Sequence, residues 1–465
     1  MRKQPEVNPP EAITAKQPDN VITQVREYQL ITPLYGGGVK PTEADPVTVV
    51  RATEIRGHLR FWWRACRGGK FNGNLAEMKK EEDAIWGKAY EKGDPPISQE
   101  QMIQIIAEPL KQNTNDDDIE PFKVAEDDRG QNRSRYDSRT GIPTYAAFPL
   151  QHTQEELQKE KPPHKKVRDN VKFRLTISFP AKRRDDVAAA LWAWETFGGI
   201  GARTRRGFGV LRCISIKENE KPQAVDLPQA DQEQARQWIQ ERLTKYVVDG
   251  SWVASVPHLI KQDLALKVVS RGNTRDSWAV WEDLINRLRI FRQKRHRSTR
   301  PNANSPGRSI WPEPSAIRQY TKQSLPAHAN PIPDPLTDKF PRAAFGLPII
   351  FQFKDRDDRN PDNPSRDPRK TVLQLATSER LASPLILKPL ACQSGAYVGL
   401  ALILEETRIE EEQLILKTQQ GREEEWAVKA TFDQGESLVV ANENSTSPIR
   451  IDSQTNALQA FLKYL

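Results

Sequence analysis

Phe197-Gly198-Gly199-Ile200-Gly201-Ala202-Arg203-Thr204-Arg205-Arg206-Gly207-Phe208-Gly209 holds five glycines and three arginines in thirteen residues. Glycine tolerates positive φ and lets a backbone come close to a neighbour. Arginine brings a planar, permanently charged fork that matches phosphate oxygens. The stretch is not a nucleotide-binding loop of the usual kinds: it lacks the G-K-[ST] ending of a P-loop and the G-x-G-x-x-G that opens a helix. Its flanks are reversed as well, with a helix before it and a strand after. Two readings stand side by side. One is a polyanion-facing loop; the other is a helix end at Gly198 followed by a solvated turn.

The flanks give the fold. Lys172 to Phe179 alternates, with Phe173, Leu175, Ile177 and Phe179 on one face and Lys172, Arg174, Thr176 and Ser178 on the other, the pattern of a half-buried strand. Asp185 or Asp186 is expected to cap a helix that buries Val187, Leu191, Trp194 and Phe197. After the glycine loop, Val210 to Ile216 reads as a strand. Upstream, Ile22 to Thr32 reads as a strand that turns at Pro33 and the Gly36-Gly37-Gly38 triplet. A helix is expected over 53–67, with Thr53 as its cap, glycines at its end, and Ile55, Leu59, Trp62, Trp63 and Cys66 inward. Glu81 to Gly87 reads as a short helix and Ile103 to Ala107 as a strand. The order is close to β-α-β-β-α-β, the split βαβ or ferredoxin-like arrangement, also called RRM-like. Residues 113–139 read as a long exposed loop, 144–150 as a strand and 154–169 as a charged connector.

Arg56, Arg60 and Arg64 are spaced four apart and line one edge of the helix over 53–67, with Arg67 extending the row. Like charges at this spacing repel, and no acid follows Glu54 within the helix to offset them. Phosphate contact is the reading this pattern favours. Gly57, inside the same helix, costs about 1 kcal/mol relative to alanine, and leaves room for another backbone or RNA.

Lysine and arginine exceed aspartate and glutamate by eight in 465 residues, with an isoelectric point near 9.2 and a mean hydropathy of −0.71. The balance favours an acidic partner such as nucleic acid. At this length two domains are expected. Cys66, Cys213 and Cys392 are scattered, with no C-x-x-C and no disulfide framework, which fits a cytoplasmic protein. No apolar run reaches the length of a membrane span. Residues 1–20 read as a disordered tail.

In the second half, a helix is expected over 229–246, a strand over 264–269, and a helix over 276–297 with a basic end that includes Arg292 and Arg295. Cations near a helix C-terminus are favourable through its dipole whether or not RNA is present. Residues 345–353, 385–388 and 396–404 are read as strands of a second sheet. Residues 405–440 are acidic, and a short apolar helix over 458–465 is expected to dock back.

Several motifs together resemble a known family. The glycine loop is similar to that of the RAMP superfamily, the RNA-binding subunits and RNases of CRISPR systems. Pro33-Leu34-Tyr35-Gly36-Gly37, Arg56-Gly57-His58-Leu59-Arg60-Phe61-Trp62-Trp63-Arg64, Ile85-Trp86-Gly87, Gly307-Arg308-Ser309-Ile310-Trp311-Pro312-Glu313-Pro314 and Ser383-Pro384-Leu385-Ile386-Leu387-Lys388-Pro389 look like the first-numbered subunits of type III-B Cmr complexes. The resemblance implies an α+β protein with two ferredoxin-like βαββαβ domains in tandem and long loop insertions. The boundaries read from it are a tail over 1–20, a first domain over 21–217, a linker and helix over 218–246, a second domain over 247–405 and an extension over 406–465. It further implies a non-catalytic subunit that holds crRNA and target RNA near the guide 3′ end beside other Cmr subunits. On that reading Arg51, Arg56, Arg60, Arg64, Arg203, Arg205, Arg206, Arg292, Arg295 and Lys388 contact RNA, and the backbone at Gly199, Gly201 and Gly207 adds hydrogen bonds.

Some RAMP relatives are metal-independent RNases that use a histidine, and His58 is the residue such an activity would need. No second histidine lies near it in sequence. The six histidines show no metal-ligand spacing, so neither a catalytic residue, a metal nor another cofactor is expected. A crRNA-processing RNase and a scaffold without RNA contact are the alternatives.

Overall fold

A computed structural model describes residues 20–39, 42–88, 103–110, 117–253, 255–270, 275–296, 307–326, 336–406, 409, 412–419, 421–440 and 448–465. The expected tail, apart from Asn20, lies outside them, as do Arg297 and Arg300 of the basic stretch.

The first half is built on β1 (Val21–Leu30), α1 (Ala52–Arg67), α2 (Leu75–Trp86), β2 (Gln104–Pro109), a hairpin of β3 (Phe122–Glu126) and β4 (Asn132–Tyr136), β5 (Lys172–Pro180), α3 (Arg184–Phe197), β6 (Leu211–Glu218) and β7 (Lys221–Gln223). The main sheet runs β2-β5-β1-β6-β7 with antiparallel neighbours throughout. Its first four strands have the order expected of a split βαβ unit. The period of two in β5 places Phe173, Leu175, Ile177 and Phe179 in the core, where α1 buries Ile55, Leu59, Trp62, Trp63 and Cys66. Arg51, not Thr53, stands at the start of α1 and makes no side-chain cap. Asp186 does not cap α3 either: its carboxylate accepts the indole N–H of the buried Trp63 at 2.9 Å.

Two segments differ from the sequence reading. Part of 113–139 forms the β3–β4 hairpin, closed by a turn in which the Asp127 carboxylate accepts three hydrogen bonds, from the backbone N–H groups of Arg129 and Gln131 and the side chain of Arg133. Over 144–150 the chain makes two short helical turns rather than a strand. Pro143 and Pro149 set φ there and withhold backbone donors, which disfavours a ladder.

The second half contains α4 (Gln232–Tyr246), β8 (Leu266–Val269), α5 (Ser277–Arg292), α6 (Glu313–Thr321), β9 (Ile349–Phe351), β10 (Thr371–Leu375), β11 (Leu385–Ala391), β12 (Tyr397–Ile403), β13 (Leu414–Thr418), β14 (Glu425–Val428), β15 (Ser437–Val440), β16 (Ile449–Asp452) and α7 (Ala457–Tyr464). β8, β12 and β11 make a three-stranded antiparallel sheet under α5. This is a β-α-β-β unit; among the described residues it has no fourth strand, so a second complete βαββαβ domain is not what forms. The strand expected over 345–353 is the short β9, and it belongs to a separate sheet, β9-β10-β13-β14. That sheet has its own core of Ile317, Phe340, Leu373, Leu375, Leu414 and Leu416. Its strands come partly from the chain between α5 and β11 and partly from the chain after β12, and periodicity alone cannot say which sheet a strand joins. The acidic segment supplies β13 and β14. Asn456 caps α7 with a capping box, and Phe461 packs on Phe291 of α5 with ring centroids 5.4 Å apart. The expected return of the C-terminal helix is what the chain does.

Candidate nucleic-acid interface

The glycine loop lies at the joint between the two halves. Gly198 ends α3 by donating its N–H to the Trp194 carbonyl. Ile200 N–H then donates to Gly209 O and Gly209 N–H to Pro33 O, both at 2.9 Å. Gly201 N–H donates to Glu54 Oε1 at 2.7 Å, and Ala202 N–H to Tyr35 O at 2.6 Å. Gly207 N–H is held by Thr204 O at 3.0 Å. The N–H groups of Gly201 and Gly207 are therefore used inside the protein, contrary to their expected role on phosphate. Gly207 (φ +80) presses on α5, where an added Cβ would sit 2.5 Å from Trp281 Nε1.

The arginines of the loop reach across the joint. Arg206 donates to Leu385 O at 2.6 Å, Arg205 to Ser383 O, and Trp281 Nε1 returns a bond to Arg206 O at 2.7 Å. Burial, with Arg292, Arg203 and Arg205 nearby, pushes the Arg206 guanidinium down to about 9. Arg203 stands in the left-handed region (φ +58) and is half-buried. Its Nε has no hydrogen-bond partner, and among the described residues its side chain makes no ion pair. Arg292 joins the group with an unpartnered Nε of its own, its guanidinium 5.8 Å from the Tyr145 ring and 5.2 Å from that of Phe345. Burial lowers the affinity of both Arg203 and Arg292 for their protons. Arg203, Arg206 and Arg292 thus converge near Tyr145, and neither Arg203 nor Arg206 has a carboxylate partner among the described residues. Tyr145 was legible only as part of a supposed strand.

The arginine row on α1 is different. Arg60 and Arg64 both hold Glu82 of α2, Arg64 at 2.7 Å, and Arg60 also reaches Asp83 at 3.2 Å. Arg56 donates to Trp86 O at 2.6 Å, and Arg51 to the carbonyls of Gly37 and Gly38. The acids that offset the row come from another helix, so its phosphate reading is corrected to a helix–helix clasp. Glu82 is only 3 % exposed. Glu82→Ala is expected to destabilise the chain by about 1–3 kcal/mol by leaving Arg64 without its acid and Arg60 with Asp83 alone. A lower urea midpoint, with RNA affinity of the folded fraction unchanged, is the result to look for.

Two more expected contacts are corrected or displaced. Lys388 is fully buried and donates to Gly198 O at 2.7 Å and Glu195 O at 3.2 Å, so it cannot reach a surface ligand. Arg295 is exposed but donates to Gly307 O at 3.1 Å, apart from the loop arginines. His58 lies with Nε2 3.7 Å from Glu54 Oε1.

Residues 27–212, which hold the end of β1, the α1–α2 clasp and the whole glycine loop, match the model of the RAMP superfamily. The match covers 186 of the chain's 465 residues. Among characterised relatives, the chain is 24 % identical to CRISPR system Cmr subunit Cmr1-1 of Pyrococcus furiosus over 166 residues, 36 % of this chain and 40 % of that protein. It is 22 % identical to Cmr1-2 of the same organism over 204 residues, 41 % of this chain and 95 % of that one. The match thus spans less than half the length of Cmr1-1. Among solved structures, it is similar to Cmr1 from Pyrococcus furiosus in its apo form, at 16 % identity, covering 83 % and 88 % of the two chains with a TM-score of 0.44. It is also similar to a chain of the type III-B Cmr-beta assembly bound to cognate target RNA, at 13 % identity, 83 % and 95 % coverage and a TM-score of 0.43. The RAMP region ends within β6, and its glycine loop carries the contacts to β11 and α5 beyond it. Among the described residues no helix is long and apolar enough to cross a membrane.

Proposed function

We propose that this chain is a Cmr1-type, non-catalytic subunit of a crRNA-guided type III-B CRISPR effector, and that it holds guide and target RNA near the guide 3′ end. The observation that carries the RNA contact is the crowding of Arg203, Arg206 and Arg292, of which only Arg292 has a carboxylate, that of Glu313, acting on it among the described residues. The names of the relatives suggest the complex, and the RAMP loop supplies the site. Three guanidiniums that repel one another and are partly stripped of water gain when a phosphate enters, because its charge relieves the repulsion. Such contacts position RNA without reading its sequence.

Arg203 is the residue to change, because Arg205 and Arg206 also fasten the two halves. Arg203→Ala is expected to weaken single-stranded RNA binding about tenfold and to reduce the slope of log K against log salt by about 0.7, the loss of one phosphate contact. Its unfolding midpoint should stay where it was. Fluorescence anisotropy across a salt titration measures both quantities; an unchanged slope would sink the proposal. Membership of the complex is tested separately, by co-purification with the other products of its operon and assay of nucleic acid in the same peak.

A further inference from the structure

Over 144–150 the chain turns its small residues inward and leaves its rings outward. Ala146, Ala147 and Leu150 are buried, whereas Tyr145 is half-buried and Phe148 is 64 % exposed. A turn shaped by burial alone would do the reverse, because removing a phenyl ring from water stabilises a core far more than removing a methyl group does. Pro143 and Pro149 bracket the two rings and stiffen the backbone that carries them. Three residues apart on helical turns, Tyr145 and Phe148 share a face, with Cβ atoms about 5–6 Å apart. The Tyr145 ring lies 5.8 Å from the Arg292 guanidinium. Phe148 thus presents its ring to solvent one turn along from the arginine cleft. From Ser138 to Thr153 the sequence has no acid, so nothing on this stretch repels a polyanion.

We propose that Phe148 is a stacking platform for one unpaired base of the RNA strand whose phosphate the arginine cleft holds. The inference rests on the RNA reading above and adds the part of the nucleotide that the guanidiniums do not touch. Every base has a π-face, so a bare phenyl ring adds affinity without choosing among the four. Bases inside a duplex are already stacked on one another, so this contact is open to single strands and closed to double ones. The setting suits a nucleotide better than an apolar protein surface. The exposed ring adjoins guanidiniums, and an apolar partner would strip these of water without returning a counter-charge.

The test titrates the full chain, by fluorescence anisotropy, with a short single-stranded RNA of mixed sequence, with the same backbone carrying abasic sugars, and with an RNA duplex. Phe148→Ala is expected to weaken single-strand binding about tenfold. Its salt slope should match that of the parent, because no phosphate contact is lost. Affinity for the abasic strand and for the duplex should not change. The melting temperature should hold, since the ring is exposed, and Phe148→Trp should restore single-strand binding. A 2-aminopurine in the strand gives a second readout: stacking quenches its emission on the parent, and the emission should recover on Phe148→Ala. The two readings fail separately. A reduced slope in Arg203→Ala with no effect of Phe148→Ala overturns the stacking site alone. An unchanged slope in Arg203→Ala with a base-dependent loss in Phe148→Ala supports the stacking site and overturns the phosphate contact. Undiminished single-strand binding by Phe148→Ala, or an equal loss on the abasic strand or on the duplex, overturns the proposal.

Discussion

Gly209→Ala is expected to destabilise the folded chain by about 2–5 kcal/mol, combining the strain of a left-handed alanine with overpacking. Gly209 adopts φ +60, and an added Cβ would collide with the Ile200 carbonyl. The surrounding backbone has little freedom to yield. Gly209 O accepts from Ile200 N–H, and Gly209 N–H is tied to Pro33 O at the exit of β1. A shift here loosens three segments at once. Urea denaturation followed by tryptophan fluorescence measures the loss. Gly57→Ala is the matching control, since a Cβ at this exposed helical position meets nothing within 4 Å. It should stabilise the isolated chain by about 0.5–1 kcal/mol. A Gly209→Ala protein as stable as the parent would show that the loop is more pliable than its hydrogen bonds imply.

The second large effect belongs to Lys388. Burial pushes its ammonium down to about 7 from an ordinary 10.5, against a smaller upward pull from Glu195. Between those two values the unfolded chain binds a proton that the folded chain does not. Stability must therefore rise with pH across that window. Below about pH 7 both states are protonated and the penalty of burying the charge is fully present. Lys388→Met removes the titration but leaves the carbonyls of Gly198 and Glu195 without this donor. The parent should therefore gain on the Met variant by on the order of 3–5 kcal/mol as pH climbs from 7 to beyond 10. Taking the difference between the two proteins cancels the tyrosines and cysteines that titrate in the same range. A difference that stays flat with pH would mean that the ammonium keeps its water.

What the sequence made legible was local and periodic. The alternation of 172–179 and the helical spacing around Trp62 and Trp194 read through to the first sheet and its two packed helices. The arginine row was visible as well, but its meaning was not, because Glu82 and Asp83 lie about twenty residues away on another helix. Lys388, the single cation of the motif over 383–389, reads as an RNA contact, but β11 is buried along its whole length. The same limit hid the third sheet: β10 is a short apolar run that pairs β9 on one side and, on the other, β13, which arrives some forty residues later. In each case the missing information was which distant element stands opposite.

The joint between the halves has a one-sided chemistry. Arg205, Arg206 and Lys388 are its charged donors, and their acceptors at Ser383, Leu385, Gly198 and Glu195 are all main-chain carbonyls. Every residue type offers that carbonyl. Substitution at 383 or 385 can therefore drift without unfastening the two halves, while the three cations have no such latitude. Because no carboxylate is hydrogen-bonded to these cations among the described residues, added salt has little to screen, and the seam should hold at ionic strengths that strip RNA from the protein.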